Sequence, residues 1–427
     1  MGRIDLVIFG ATGFTGKYTI KNLIKIAKMK NLHFTWGVAG RNKEKLSKTL
    51  IEMSKDEDYD ISKVTQIIAD LNDSDSLNAM AKQAKIIVNC CGPYRFYGEA
   101  VIKACIENKT HHVDVSGEPQ FMEKMQLKYH EDAKENEVYV VSACGFDSIP
   151  ADMGVVFLKN EFGGQLNSVD IFLDSWVSGQ KTGSTVHFGT WESAVYGVGC
   201  KSELKPLRQK LFTKPLPALK PKLERRLPLT KVDALKDKWC LPFPGADKAV
   251  IRRSQYYFYE HDNQRPIQVG TYIAFPSLIG ALLVTCAAAV FALMTKFNLG
   301  RKLLLAYPKF FSFGFASHEG PPENEAENTF FTFTFLGKGW KEKLNNPLDA
   351  EGIQPNKTLI AKVSGNNPGY GATCILLLVS ALTVLKENDK MPEKGGVYPP
   401  GAAFANTNMI KMLNELGVKF EIVPQNN

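Results

Sequence analysis

The sequence predicts an α/β protein whose N-terminal part is a doubly wound parallel sheet, and three observations predict it. An apolar run at residues 4–9 feeds a turn carrying Gly10, Gly13 and Gly16, and an amphipathic helical pattern starts at once (Tyr18, Ile20, Leu23, Ile24, Ile26, Ala27). Five more short apolar runs follow before residue 143, most of them separated by helical patterns. A further strand-then-helix pattern begins near residue 168. Alternation of this kind builds parallel sheets whose ligands lie outside the carboxyl ends of the strands.

The first strand ends at Gly10-Ala11-Thr12-Gly13-Phe14-Thr15-Gly16. Glycines at such a turn let the backbone approach a dinucleotide pyrophosphate, and the new helix offers unpaired N–H groups and its positive dipole end. The spacing is G-x-x-G-x-x-G, a variant of the Rossmann fingerprint; the plainer alternative is a turn that joins strand to helix. The pattern assigns Gly10, Thr12, Gly13, Phe14, Thr15 and Gly16 to a nicotinamide dinucleotide.

The second strand, 34–39, runs into Gly40-Arg41-Asn42-Lys43, and no acidic residue lies between Asp5 and Glu44. A site selective for NAD carries an Asp or Glu here for the ribose hydroxyls. Arg41 instead offers a guanidinium for a 2′-phosphate or the adenine face, which predicts NADP(H) and leaves NAD(H) as the alternative. The third strand, 64–69, ends at Asp70, a candidate for the adenine side. The fourth, 85–90, runs into Cys91-Gly92-Pro93-Tyr94. The fifth and sixth, 112–115 and 138–142, place His111 and His112 at a strand end and open the 144–150 loop. Helices are expected at 76–84, 99–108 and 120–136.

Composition bounds the rest. A chain of 427 residues with 44% hydrophobic and 22% charged residues has room for two domains with sizeable cores. Eight scattered cysteines without a C-x-x-C pair read as reduced thiols, with no metal site expected. Net charge is +8, and residues 201–238 hold twelve Lys/Arg against four Asp/Glu, an excess equal to the whole chain's. Interrupted by five prolines, this stretch reads as a solvated loop or a surface for anionic lipid. Stacking aromatics are lacking there, so nucleic acid is not an expected partner.

Residues 268–295 carry no charge, and 277–294 is apolar on every face. About 20 helical residues span ~30 Å, a bilayer's hydrocarbon thickness. Lys296, Arg301, Lys302 and Lys309 follow, interleaved with Leu303, Leu304, Leu305, Tyr307, Phe310 and Phe311, a mixture suited to a lipid interface. The alternative is a buried helix, the reading given to the second apolar run at 374–379. Insertion into a lipid-droplet monolayer or one leaflet from the cytosolic side is expected, with a cytoplasmic location if the segment is buried.

Hydride transfer needs a proton donor, and Tyr94, Asp147 and His187 are the candidates. Asp147 or Ser148 could equally cap the helix around Pro150.

The motifs GATGFTG (10–16), AGR (39–41), NCCGPY (89–94), HHVDVSGE (111–118), ACGFDSIPADMG (143–154), NPGYGAT (367–373) and GGVYPPGAAF (395–404) together resemble the saccharopine dehydrogenase-like oxidoreductases. The pattern is similar to the animal members and extends to bacterial trans-acting enoyl reductases. The resemblance implies a Rossmann domain at 1–150, completed by about 368–427, and a second α/β domain with a mixed sheet at 151–367. That second domain includes the basic loop 201–238 and the apolar segment 274–311. It also implies a nicotinamide cofactor at the three glycines, with Cys91, Gly92 and Pro93 near its ribose, and is compatible with a homodimer. Seven arginines are spread through 150–330 without forming an evident clamp for a polycarboxylate. A lipid or lipid-linked substrate is therefore expected, and a cofactor-binding scaffold without catalysis is the alternative.

Overall fold

The computed structural model describes residues 2–31, 34–55, 57, 59–344, 348 and 353–424. The chain divides into two compact units. One comprises Met1–Phe146, Gly369–Pro399 and Asn406–Leu416; the other comprises Asp147–Pro368, Pro400–Ala405 and Gly417–Asn427.

The first unit begins with β1 (Ile4–Phe9), α1 (Phe14–Met29), β2 (Trp36–Gly40), α2 (Lys43–Ser54), β3 (Thr65–Ile68) and α3 (Ser74–Gln83). It continues with β4 (Ala84–Asn89), α4 (Tyr94–Glu107), β5 (His111–Asp114), α5 (Pro119–Glu135) and β6 (Tyr139–Val141). The second unit opens with α6 (Ser148–Glu161), β7 (Gln165–Val177), β8 (Val186–His187), α7 (Phe188–Gly199), α8 (Leu204–Leu211), β9 (Thr230–Val232) and β10 (Lys238–Pro242). Then come α9 (Asp247–Asp262), β11 (Gln268–Phe275), α10 (Leu278–Thr295), α11 (Asn298–Ala306) and α12 (Pro308–Phe311). β12 (Ala316–Ser317), α13 (Glu323–Glu327), β13 (Thr329–Trp340) and β14 (Lys357–Asn366) complete this stretch. The C-terminal stretch adds α14 (Thr373–Glu387), β15 (Gly396–Tyr398), α15 (Pro400–Phe404), α16 (Met409–Glu415) and β16 (Lys419–Ile422).

In the first unit the sheet is parallel, in the order β15-β6-β5-β4-β1-β2-β3. The chain winds outward from β1 in one direction and then in the other, which is the doubly wound topology. Helices cover a parallel sheet on both faces, so its central strands read as continuous apolar runs. Leu6, Val7 and Ile8 of β1 and Ile86, Ile87 and Val88 of β4 are accordingly fully buried. The strands fall where the sequence puts them, with two adjustments: β2 starts at Trp36, and His111 and His112 open β5 instead of closing it.

The second unit holds a mixed sheet ordered β16-β14-β13-β7-β11-β10-β9, parallel at β7–β11 and antiparallel elsewhere. Phe331, Phe333 and Phe335 alternate along β13 and are fully buried. Gly154 lets α6 lie directly on them, since a Cβ there would stand 2.1 Å from the Phe335 ring. The stretch 368–427, expected to complete the first unit, is shared. α14, β15 and α16 join the first unit, whereas β16 pairs with β14 through Ala361↔Ile422. The reason lies in β16 itself: Phe420 is buried between exposed Lys419 and Glu421, an edge-strand pattern, and its ring packs 5.9 Å from Phe157.

The two apolar runs have opposite fates. α14 is buried in the first unit, with Leu376, Leu377, Leu378 and Val379 fully covered. α10 is apolar all round, yet 11% of it is buried. Ala281 and Thr295 near its two ends are covered, while Ile279 is 72% and Leu283 66% exposed. The basic segment 201–238 is not simply a loop; it contains α8 and β9.

Candidate functional site

The glycine turn is fixed by backbone contacts. Gly10 takes φ +83°, a conformation that favours glycine. Its amide and that of Ala11 donate to the Ala39 carbonyl at 3.0 and 3.3 Å, tying the turn to the end of β2. A Cβ on Gly16 would stand 2.2 Å from the Gly10 carbonyl oxygen, so this position needs glycine for α1 to start where it does. Gly13 is the N-cap of α1, and no side chain caps the helix. Thr12 and Gly13 are exposed, and Phe14 and Thr15 partly so. An exposed, uncapped helix start beside a glycine turn fits a pyrophosphate, which would accept from the first-turn amides and meet the positive dipole end. The Phe14 ring packs edge-on against Tyr370, with centroids 4.4 Å apart.

The next wall comes from the end of β4. A Cβ on Gly10 would fall 2.6 Å from the Cys91 sulfur, so the two loops touch. The Cys91 amide donates to Asn89 Oδ1 at 3.0 Å, and Pro93 follows Gly92 through a cis peptide. Arg41 is exposed directly after β2, and its charge acts on the Cys91 thiol, which burial nevertheless pushes up. Gly10, Arg41 and Cys91 therefore gather at the carboxyl ends of three neighbouring strands. Asp70 acts within its own loop, where its carboxylate accepts from the Asn72 amide at 2.9 Å, an Asx turn that shapes the chain after β3.

The three proton-donor candidates stand in different environments. Tyr94 is buried, and its hydroxyl donates to the Asn89 carbonyl at 2.9 Å. Burial, with Asp114 nearby, drives that phenol well above its ordinary pKa. His187 belongs to the second unit, where its Nδ1 accepts from the Gly189 amide at 3.2 Å and caps α7. Burial, then His318, holds its pKa below the usual value, which keeps the ring neutral. Asp147 precedes α6 with φ +70° and ψ −68°, a strained conformation for a residue with a Cβ. The expected cap bond from Asp147 is not made. Desolvation raises its carboxyl above the usual carboxylate range.

Several buried acids escaped the sequence reading. Glu118 accepts from the amides of Tyr94 at 3.0 Å and Arg95 at 3.2 Å, so it anchors the start of α4. Asp114 accepts from the Ser116 amide at 2.9 Å and the Ser142 hydroxyl at 2.8 Å, and burial lifts it to about 7. Both lie inside the HHVDVSGE motif, where an acid following an apolar strand was the available signal. Asp247, first in α9 and 1% exposed, is pushed up by burial and then by Asp147.

Residues 6–141 match the saccharopine dehydrogenase NADP binding domain. Over 422 residues the chain is 41% identical to a saccharopine dehydrogenase-like oxidoreductase of Bos taurus, covering 98% of this chain and 97% of that one. The chain belongs to the saccharopine dehydrogenase-like oxidoreductase family. This family member is 39% identical to the "Lipid droplet localized protein" of Caenorhabditis elegans, across 99% of both chains. It is 27% identical to a trans-acting enoyl reductase of Mycobacterium bovis, across 96% of both. Its fold is shared with apo saccharopine dehydrogenase of Saccharomyces cerevisiae at a TM-score of 0.54 and 12% identity, covering 99% of this chain and 100% of that one. The first unit of this oxidoreductase is thus its NADP(H)-binding domain, and the glycine turn is the feature that fits the dinucleotide.

Proposed function

We propose that this family member is an NADP(H)-dependent oxidoreductase acting on a lipid or lipid-linked substrate at a lipid surface, a droplet monolayer or one membrane leaflet. The observation that carries this reading is α10, an 18-residue helix with mean hydropathy 2.4 that is left largely uncovered. Burying a Leu, Ile or Phe side chain is worth about 1.5–3 kcal/mol, so an uncovered apolar helix favours a hydrocarbon phase strongly. α10 is braced at its base. Trp191 of α7 packs 4.9 Å from Phe291 and donates from its indole N–H to the Leu304 carbonyl at 2.8 Å. The rings of Tyr307, Phe310 and Phe313 and the cations Lys296, Lys302 and Lys309, which follow α10 in the chain, are exposed as well.

The chain's path speaks against a single bilayer span. α14, β15 and α16 follow α10 in sequence yet belong to the unit that β1 begins. A span would place them on the opposite side of the membrane. Monotopic insertion keeps both parts on one side.

In the proposed reaction NADPH supplies a hydride when bound. Gly10, Gly13 and Gly16 seat its pyrophosphate, Thr12, Phe14 and Thr15 line that seat, and Arg41 meets the 2′-phosphate. Cys91, Gly92 and Pro93 border the ribose. Asp147, whose carboxyl burial makes a weaker acid, is the proposed donor of the proton to the substrate atom that gains negative charge. Names among the relatives, an enoyl reductase and a droplet protein, support this substrate class and location.

A second reading, a cofactor-binding scaffold without turnover, is favoured by one observation: the Tyr94 hydroxyl and His187 Nδ1 are both committed to backbone partners. The deciding experiment follows NADPH oxidation with trans-2-enoyl and 3-ketoacyl substrates, the lipids presented on vesicles, and NADP reduction with saccharopine. Turnover of an acyl substrate supports the enzyme. NADPH binding without turnover supports the scaffold, and oxidation of saccharopine contradicts both.

A further inference from the structure

The basic segment that composition marks as a loop builds one side of an open pocket of about 530 Å³ in the second unit. Its floor is aromatic: Phe212 and Tyr256 stack with centroids 3.9 Å apart and planes 13° apart. Arg252 of α9 lies beside the stacked pair, 5.4 Å from each centroid, and donates to the Tyr256 hydroxyl at 3.3 Å. Lys201, Lys205 and Arg208 complete the cationic wall, and no acidic side chain is among the residues described as lining it. Neither Lys201 nor Lys205 is paired with a carboxylate among the described residues. Beside the pocket, burial and then the like charges of Arg225 and Arg252 hold the Lys248 ammonium below its usual pKa. Positive charge is thus concentrated at Lys201, Lys205 and Arg252.

We propose that this pocket binds the phosphate group of an anionic ligand, with Arg252 and Lys205 as its principal contacts and the Phe212–Tyr256 floor packing against the ligand's apolar part. A guanidinium fixed beside the stacked rings by its bond to the Tyr256 hydroxyl can make bidentate contact with phosphate oxygens, and lysines add point charges around it. The ligand is a phospholipid headgroup or a free phosphate ester, which share this chemistry. Position favours the headgroup. A Cβ on Gly199 would stand 2.9 Å from the Thr295 carbonyl, so the pocket's Lys201 is two residues from a contact with the base of α10. The choice of source rests on the lipid-surface reading; the pocket does not.

The test uses the full chain and two probes, glycerol 3-phosphate by calorimetry, and phosphatidylcholine vesicles with or without phosphatidic acid by flotation. Lys205→Glu/Arg252→Glu is compared with Lys386→Glu/Lys394→Glu, an equal charge change at exposed positions of the first unit. The milder Lys205→Gln/Arg252→Gln guards against misfolding, and retained NADPH binding reports the fold. At ~1 kcal/mol per cation near an anionic surface, the pocket variant should lose the phosphatidic acid preference by about tenfold or more. Loss for vesicles identifies a headgroup, and loss confined to glycerol 3-phosphate identifies a free ester; either supports the pocket. Binding of neither probe by the natural protein, or equal loss in the control pair, overturns it. Leu283→Asp separates the two proposals, since it should abolish vesicle attachment while leaving glycerol 3-phosphate binding intact.

Discussion

The carbonyl oxygen of Gly10 occupies the space where a side chain on Gly16 would begin, 2.2 Å from the missing Cβ. One backbone contact therefore sets the distance between the glycine turn and the start of α1. Gly16→Ala should push the helix away, lowering NADPH affinity at least tenfold and costing on the order of 1–3 kcal/mol of stability. Gly13 has room by comparison, its nearest neighbour being the Gly10 oxygen at 3.2 Å. Gly13→Val should keep the fold and still weaken NADPH, because the methyls stand where phosphate must approach. Calorimetry paired with thermal unfolding separates the two effects.

Arg41 follows β2 where an acid would select NAD, and it is exposed beside Cys91. Arg41→Asp should lower NADPH affinity about tenfold or more while leaving NADH affinity equal or improved, since a charge-assisted bond to the 2′-phosphate is worth roughly 1.5–3 kcal/mol. Unchanged relative affinities would remove Arg41 from the site.

Asp147 carries a carboxyl that burial raises, in a strained turn. If it donates the proton, turnover falls about tenfold per pH unit above its apparent pKa, as the acid form is depleted. Asp147→Asn should lower kcat by about 10²-fold or more with NADPH affinity unchanged. Full activity in the variant would exclude it as the donor.

Much of this was legible before any coordinates. Periodicity located the strands of the first sheet because a parallel sheet covered by helices demands continuous apolar runs. The three glycines and Arg41 were legible because backbone approach and charge selection leave few residue choices. Less visible were features that depend on folding partners. α10 and α14 are both long and mostly apolar, and the basic, aromatic flank after α10 is what sets them apart in the sequence; which of them other elements cover is decided by folding. Asp114, Glu118 and Asp247 read as ordinary polar residues until burial and their hydrogen bonds are known. Arg252 and Lys205 line one pocket with Phe212 and Tyr256 only because α9 packs beside the basic segment.

Asp114 gives the protein a pH dependence of its own. Its pKa is raised from about 4 to about 7 by burial, so the folded state retains a proton that the unfolded chain releases. The group's contribution is therefore full below about pH 4 and is lost as pH rises toward 7, by up to ~1.4 kcal/mol per pH unit. Neutral His112 on the same strand, held down to about 3 by burial, acts in the opposite sense below pH 6.5. The difference between natural protein and Asp114→Asn isolates the carboxyl: the variant should gain stability relative to the natural protein between pH 4 and 7. A constant difference across that range would contradict the assignment.

Ile279 and Leu283 project from α10 with most of their surface uncovered. Ile279→Asp/Leu283→Asp should leave the melting temperature within a few degrees, since exposed substitutions change stability by less than about 0.5 kcal/mol each. Flotation with vesicles or isolated droplets should be lost. Undiminished flotation would place lipid contact elsewhere or nowhere.

The most direct measurement is calorimetric titration of the purified full chain with NADPH, NADP, NADH and NAD. Saturable one-site binding of the phosphorylated pair, at least tenfold tighter than that of the unphosphorylated pair and lost in Gly13→Val, is the predicted result. No heat from any of the four, in a sample shown to be folded, would contradict the account at its root.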